Sequence, residues 1–201
     1  MPTTNRFAFV IPTYNHAASL SKVVERVLEF GLPTIVVDDG SDDETSKVLD
    51  ELQGIELIRH EHNLGKGAAL LSGMQAAARV ADWAISIDAD GQHDPADARK
   101  LMEAIKGEQR PIVIGCRKSM FGPNTPWTSR FGRGFSNFWV RASGGPKVLD
   151  SQSGFRAYPL PEVPRLRTKA RRFQWEVEVL VLAAWRGLRV MEVPISVTYA
   201  P

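Results

Sequence analysis

Short apolar runs alternate with helical stripes through the first half of the chain. Phe7-Ala8-Phe9-Val10-Ile11 is a continuous apolar run stopped by Pro12, the pattern of a strand buried on both faces. Asn15 then stands as an N-cap. Behind it Leu20, Val23, Val24, Val27 and Leu28 recur at helical spacing until Gly31 and Pro33 close the helix. Thr34-Ile35-Val36-Val37 predicts a second buried strand, and a helix follows from Glu44 with Val48, Leu49 and Leu52 on one face. Ile55 to Ile58 predict a third strand, and Gly67 to Val80 a helix of small residues able to pack closely. Trp83 to Ile87 predict a fourth strand, followed by a helix from Pro95 and a strand from Pro111 to Gly115.

This alternation predicts an α/β fold with a mostly parallel central sheet and helices on both faces, a Rossmann-like three-layer α/β/α sandwich. Ligands of such sheets bind beyond the carboxyl ends of the strands. Three strands end there in polar clusters: Pro12-Thr13-Tyr14-Asn15, Asp38-Asp39-Gly40-Ser41 and Asp88-Ala89-Asp90. That coincidence points to a site.

The second half is less regular. Gly122 to Pro126 reads as a loop, Thr128 to Ala142 as a helix and Ser153 to Tyr158 as a strand. The Pro-rich, basic stretch from Pro159 to Arg172 is expected to be a mobile loop. Gln174 to Arg186 predicts a helix closed by Gly187, and Leu188 to Val197 a last strand interrupted by Pro194.

Composition narrows the class. A chain of 201 residues with 43% hydrophobic and 24% charged content fits one globular domain with a sizeable core. The lone Cys116 excludes an internal disulfide, so a reducing compartment is the default. No basic-then-apolar leader opens the sequence, and no run approaches the roughly 20 apolar residues of a membrane-spanning helix. The expectation is a cytoplasmic protein.

The net charge of +2 conceals an asymmetry: residues 1–108 carry 10 Lys+Arg against 18 Asp+Glu, and residues 109–201 carry 15 against 5. Between Gln109 and Leu149 there are seven basic residues and no acidic one. Beyond a merely solvated face, such a region attracts phosphate, anionic lipid or nucleic acid. Phosphate or anionic lipid is the partner carried forward, and no nucleic-acid partner is expected.

Asp88-Ala89-Asp90 carries the sharpest chemistry. In extended backbone, residues two apart project to the same side, so both carboxylates can converge on one point. Neighbouring carboxylates repel unless a cation sits between them, and their oxygens suit Mg²⁺ or Mn²⁺. Such an ion would neutralise a departing diphosphate. The bland alternative is a pair of capping or surface acids. A calcium loop fits poorly, because Gly91 falls fourth from Asp88 instead of sixth and the twelfth position is Arg99.

Asp38-Asp39-Gly40-Ser41 is placed to accept hydrogen bonds from a base or ribose, or else forms a tight turn before a helix. Asn63-Leu64-Gly65-Lys66-Gly67 ahead of a helix can bring N–H groups and an ammonium to phosphate, though it lacks the spacing and the Ser/Thr of a P-loop. His60 and His62 alternate and can face one way, but no third ligand lies nearby for zinc. His93 adjoins the carboxylate pair, and His16 reads as a helix-start residue.

Taken in order, Ile11-Pro12-Thr13-Tyr14-Asn15, Val36 to Ser41, Asn63 to Gly67 and Asp88-Ala89-Asp90-Gly91-Gln92-His93 resemble glycosyltransferase family 2. The chain is most similar to its dolichol- and polyprenyl-phosphate sugar transferases of GT-A fold. Asp150 to Arg156 and Glu192-Val193-Pro194-Ile195 extend the likeness over nearly the whole chain.

The resemblance implies a single GT-A domain over residues 1–201, with a nucleotide-sugar and metal half at 1–115 and an acceptor half at 116–201. Pro12, Tyr14, Asn15 and Asp39 would belong to the nucleotide site with Asp38 in support, and Lys66 and Ala89 would complete the donor-binding set. Asp88, Asp90 and Gln92 would hold Mg²⁺ or Mn²⁺. Arg117 would stand near the donor and acceptor phosphates, with Arg130, Arg133, Ser153 and Arg156 on the acceptor side. The implied reaction transfers a sugar from a UDP- or GDP-linked donor, with inversion, to a polyprenyl-phosphate or other anionic acceptor. The enzyme would lie peripherally at the inner membrane face.

A phosphate oxygen is already anionic and needs no strong base, whereas a hydroxyl acceptor would need one, with Asp150 the candidate. Cys116, where the family commonly has Ser, and Lys118 to Gly122, in place of an aromatic-glycine segment, depart from the pattern. Two other readings stand beside it. A haloacid-dehalogenase-like phosphohydrolase also uses Asp-x-Asp after a strand, though after the first strand and with a different following residue. A non-catalytic nucleotide-sugar-binding module would keep the same pocket without turnover. A nicotinamide dehydrogenase is disfavoured, because no Gly-x-Gly-x-x-Gly follows the first strand.

Overall fold

The computed structural model describes residues 5–107, 109–117 and 136–197. β1 (Phe7–Thr13), β2 (Thr34–Asp38), β3 (Glu56–Arg59), β4 (Trp83–Ser86), β5 (Ile112–Arg117), β6 (Arg156–Pro159) and β7 (Val190–Ile195) form one sheet in the order β3-β2-β1-β4-β6-β5-β7. β1 alternates: Ala8 and Val10 enter one core, Phe9 and Ile11 the other.

Helices α1 (Ala17–Leu28), α2 (Thr45–Glu51) and α4 (Ala98–Ala104) cover the Phe9 side. Leu20, Val23, Val24 and Val27 of α1 are buried there, each stabilising by roughly 1.5–3 kcal/mol. α3 (Lys66–Ala77) and α6 (Trp175–Trp185) cover the Val10 side, so the three-layer α/β/α expectation holds. α3 lies close because Gly73 has no side chain: a Cβ there would stand 2.4 Å from Val10 Cγ1. Residues 136–142 are also helical and are labelled α5, while the first part of the helix expected from 128 lies outside the described residues.

β6 is the departure from parallel order, pairing antiparallel with both β4 and β5. β5 ends at the carboxyl edge in Arg117, and Asp150, just before β6, is hydrogen-bonded to that arginine. A strand starting from that edge must run back. Pro194 is accommodated in β7 because this strand is an edge of the sheet.

Two local expectations change. Asn15 is not the N-cap of α1; that position is His16, and Asn15 adopts φ 57° in a left-handed turn. The 159–172 segment is anchored as well as looped, since Leu160, Val163 and Leu166 are buried and Glu178 accepts the Lys169 and Ala170 N–H groups. No helix among the described residues is long and apolar enough to cross a membrane.

Candidate active site

The carboxyl ends of β1, β2 and β4 border a cleft of about 410 Å³ lined by Pro12, Tyr14, Asp39, Lys66, Asp88, Ala89 and Asp90, among others. The strand order changes direction here, with β2 on one side of β1 and β4 on the other, so side chains leaving both strands diverge around an opening.

The two aspartates at the end of β2 have separate tasks. Asp38 is buried, accepting from the Ser41 N–H at 3.0 Å, and it shapes the turn. Asp39 lines the cleft and accepts from the Leu64 N–H at 3.0 Å and the Gly65 N–H at 2.7 Å, which fixes the loop before α3. Gly40, at φ +74°, makes this possible: a Cβ there would stand 2.6 Å from the His62 carbonyl carbon. Asn15 exchanges hydrogen bonds with Asp42, tying the loops after β1 and β2 together. The expected residues of the nucleotide site thus divide into Pro12, Tyr14 and Asp39 on the cleft, with Asn15 and Asp38 holding its rim.

Lys66, at the start of α3, reaches across the cleft floor. Its Nζ is 2.7 Å from Asp88 Oδ1 and 2.9 Å from Glu176 Oε1. Burial pulls the Lys66 ammonium down, but Asp88 and Glu176 reverse this and leave its pKa raised. Burial likewise pushes Asp88 up, and Lys66 outweighs it, holding the carboxyl below its usual range. His93 is buried against Phe155 at 5.5 Å between ring centroids, and burial pushes its imidazole down although Asp88 opposes this.

Asp88 also abuts Gly154, where a Cβ would meet Oδ2 at 2.3 Å. The glycine of Ser153-Gly154-Phe155-Arg156 is therefore a cradle for this carboxylate. Asp90 accepts the Gln92 N–H at 2.9 Å. Asp88, Asp90 and Gln92 supply hard oxygen donors, and the room left by Gly154 suits a carboxylate that must turn towards a cation. Among the described residues no three His, Cys, Asp or Glu side chains converge as a metal cluster. The residues fit a divalent ion.

The second half contributes a different constellation. Arg117 grips Asp150 through Nε–Oδ2 and Nη2–Oδ1 contacts, both 2.7 Å, and Asp150 is fully buried. Glu192 in turn accepts the Leu149 and Asp150 N–H groups at 2.9 Å, so the Glu-Val-Pro segment sets the position of Asp150 and hence of Arg117. Ser153 and Arg156 are fully buried. Arg156 donates to the carbonyls of Ser151, Ser153 and Glu176 and offers no exposed surface to an acceptor; it braces the loop that holds Gly154. Arg130 and Arg133 lie outside the described residues.

Sequence reasoning missed Glu176, Arg172 and Phe173. The last two line the cleft, and Gly65 and Gly67 permit the 171–175 segment to lie directly on the start of α3. Glu176 in the first turn of an apolar helix reads as a dipole-capping acid. Only the fold brings it to Lys66.

Comparison with known proteins agrees with this architecture. The model of "Glycosyl transferase family 2" matches residues 8–161. The chain is 32% identical to the UDP-N-acetylglucosamine–dolichyl-phosphate N-acetylglucosaminyltransferase of Methanococcus voltae, over 94% of this chain and 84% of that protein. It is 30% identical to the polyprenol monophosphomannose synthase of Mycolicibacterium smegmatis, over 97% and 78%. In three dimensions it is similar to glucosyl-3-phosphoglycerate synthase from Mycobacterium tuberculosis, solved with Mn²⁺ and UDP-glucose. The TM-score is 0.71 at 18% identity, over 98% of this chain and 72% of that one, a likeness of fold. A match through most of the sequence and relatives of 30% identity or more aligned over most of their length admit one assignment: the chain is a glycosyltransferase that belongs to glycosyl transferase family 2.

Proposed function

We propose that the protein transfers a sugar from a nucleoside diphosphate sugar, UDP- or GDP-linked, to the phosphate of a polyprenyl lipid, with inversion at the anomeric carbon and dependence on a divalent ion. The observation that carries this reading is the meeting of Asp39, Lys66, Asp88 and Asp90 in one cleft at the sheet's switch point. A base-reading carboxylate, a phosphate-seeking ammonium and a cation-binding pair are what a nucleotide diphosphate requires. The relatives named for dolichyl phosphate and polyprenol support the acceptor class.

Asp88 and Asp90, with Gln92, would hold Mg²⁺ or Mn²⁺, which supplies charge stabilisation to the leaving diphosphate. Lys66 adds a second positive charge on the same side, and Asp39 anchors the base. Arg117, locked by Asp150, presents a fixed guanidinium for an acceptor phosphate. An acceptor phosphate oxygen forms the new bond to the anomeric carbon as the carbon–oxygen bond to the diphosphate breaks on the opposite face. No proton needs removal from that nucleophile. Both oxygens of Asp150, the candidate base for a hydroxyl acceptor, are engaged by Arg117, and this supports the phosphate version.

The test is a donor screen. UDP- and GDP-sugars are incubated with Mn²⁺ and a polyprenyl phosphate, and the lipid product is read by mass and anomeric configuration. Transfer should require the lipid phosphate and stop in excess chelator. Asp90→Asn should lower it at least about a hundredfold without changing the melting temperature, because among the described residues this half-buried side chain makes one local hydrogen bond. Full transfer with chelator present, or transfer only to hydroxyl acceptors, would refute the reading.

A further inference from the structure

His60 has a place in the fold that its alternation with His62 does not suggest. β3 ends at Arg59, and the His60 N–H donates to the Asp38 carbonyl at 2.9 Å, bringing it to the sheet edge where Asp39 sits. Its Nδ1 is 2.7 Å from Asp39 Oδ1 and its Nε2 is 2.9 Å from Ser72 Oγ on α3. The side chains of His60 and Asp39 are only 10% and 4% exposed, whereas His62 faces solvent.

Donor and acceptor chemistry fixes the ring. An ionised carboxylate only accepts, so Nδ1 carries the proton, and in the neutral ring the Ser72 hydroxyl must donate to Nε2. Ser72 rides on a helix pressed against the sheet at Gly73, so the far end of this chain of hydrogen bonds is rigid.

The two oxygens of Asp39 are not equivalent. Oδ1 accepts from both the Leu64 N–H and His60, while among the described residues Oδ2 accepts only from the Gly65 N–H. The backbone N–H groups alone already give each oxygen one partner. His60 therefore adds something else: it occupies the remaining capacity of Oδ1, removes the freedom of the carboxylate to turn, and leaves Oδ2 as the oxygen available to a ligand.

We propose that His60, oriented by Ser72, is a positioning residue for donor binding, holding Asp39 so that one chosen oxygen accepts an N–H from the edge of the donor's nucleobase. This rests on the reading of Asp39 as the nucleobase contact. It makes the histidine and serine determinants of nucleotide affinity without touching the nucleotide.

The experiment measures binding of UDP and GDP by calorimetry, and donor KM and kcat, in His60→Leu, His60→Gln, His60→Asn and Ser72→Ala. The ring proton of His60 is located by NMR in protein carrying ¹⁵N-labelled histidine. An asparagine amide N–H falls near the place of Nδ1, so His60→Asn should stay within about threefold of wild type. His60→Leu and His60→Gln should weaken nucleotide binding roughly ten- to hundredfold, with kcat at saturating donor little changed. Ser72→Ala should weaken binding severalfold, and the NMR should find the proton on Nδ1.

A proton on Nε2, equal losses in all three His60 variants, or no loss in any would overturn the proposal. If His60→Leu does not fold, the NMR result and Ser72→Ala decide it. Asp39→Asn separates the two layers. Unchanged nucleotide affinity there removes the functional reading itself, whereas a large loss there with none in His60→Leu or Ser72→Ala removes only this inference.

Discussion

The ammonium of Lys66 stands 2.7 Å from Asp88 Oδ1, so the first carboxylate of the Asp-Ala-Asp motif already has a cation beside it. The same ammonium neutralises Glu176, and all three groups are largely shielded from water. Lys66→Met would take from Asp88 and Glu176 the ammonium that both contact and should cost about 3 kcal/mol of stability. Adding Glu176→Gln should recover part of this, a non-additivity that urea unfolding of the single and double variants reads directly. Mn²⁺ should raise the melting temperature of Lys66→Met more than that of wild type, since the ion then meets an unpaired carboxylate. Additive losses would show that the three groups are not coupled.

Gly154 gives a second prediction. Its backbone lies so close to Asp88 that a Cβ would sit 2.3 Å from Oδ2, and Ser86 Oγ fixes the loop by donating to the Gly154 carbonyl at 2.6 Å. Gly154→Ala must move Asp88, because the loop is also pinned by Arg156. Transfer should fall at least about tenfold and Mn²⁺ affinity should weaken, with global unfolding changed by no more than roughly 1–3 kcal/mol. Retained Mn²⁺ affinity would mean that Asp88 does not bind the ion.

Much of this frame is visible in the sequence because its cause is local. Short, mostly apolar runs mark β1, β2 and β4, and the polar cluster after each run must lie at the sheet edge. Asp39, Asp88 and Asp90 are legible for that reason. Distant partners are not legible. Arg156 reads as an acceptor-side residue in the sequence, yet it is consumed by three carbonyls, two of them on its own loop and one on α6. Asn15 resembles an N-cap because Asn suits both caps and left-handed turns, and its exchange with Asp42 selects the turn. β6 reads as a strand, but its direction depends on where the preceding 38 residues deliver the chain.

The Arg117–Asp150 pair separates two acceptor chemistries. If Asp150 only fixes Arg117, then Asp150→Asn and Arg117→Gln should each raise the KM for lipid phosphate roughly tenfold or more, and the double variant should be no worse than either. Arg117→Lys should not rescue, since an ammonium cannot reproduce the two-pronged grip. If Asp150 were a general base, its removal would instead lower kcat and abolish an acidic limb in the pH–rate profile. Steady-state kinetics against acceptor concentration at several pH values discriminates the outcomes.

Tyr158 links the core to pH. It lies fully buried in β6 with its ring 5.7 Å from that of Trp175, and burial pushes its phenol pKa up. The folded state therefore holds this proton more tightly than the unfolded chain, whose tyrosine titrates near pH 10. The contribution is complete below about pH 10 and is lost as pH rises through the higher folded value. Across that window the wild type should lose up to about 1.4 kcal/mol per pH unit more than Tyr158→Phe, which has no proton to release. Urea unfolding of both proteins at pH 9, 10 and 11 measures the difference. Parallel curves would place the alkaline weakness elsewhere, with the Lys66 cluster the next group to test.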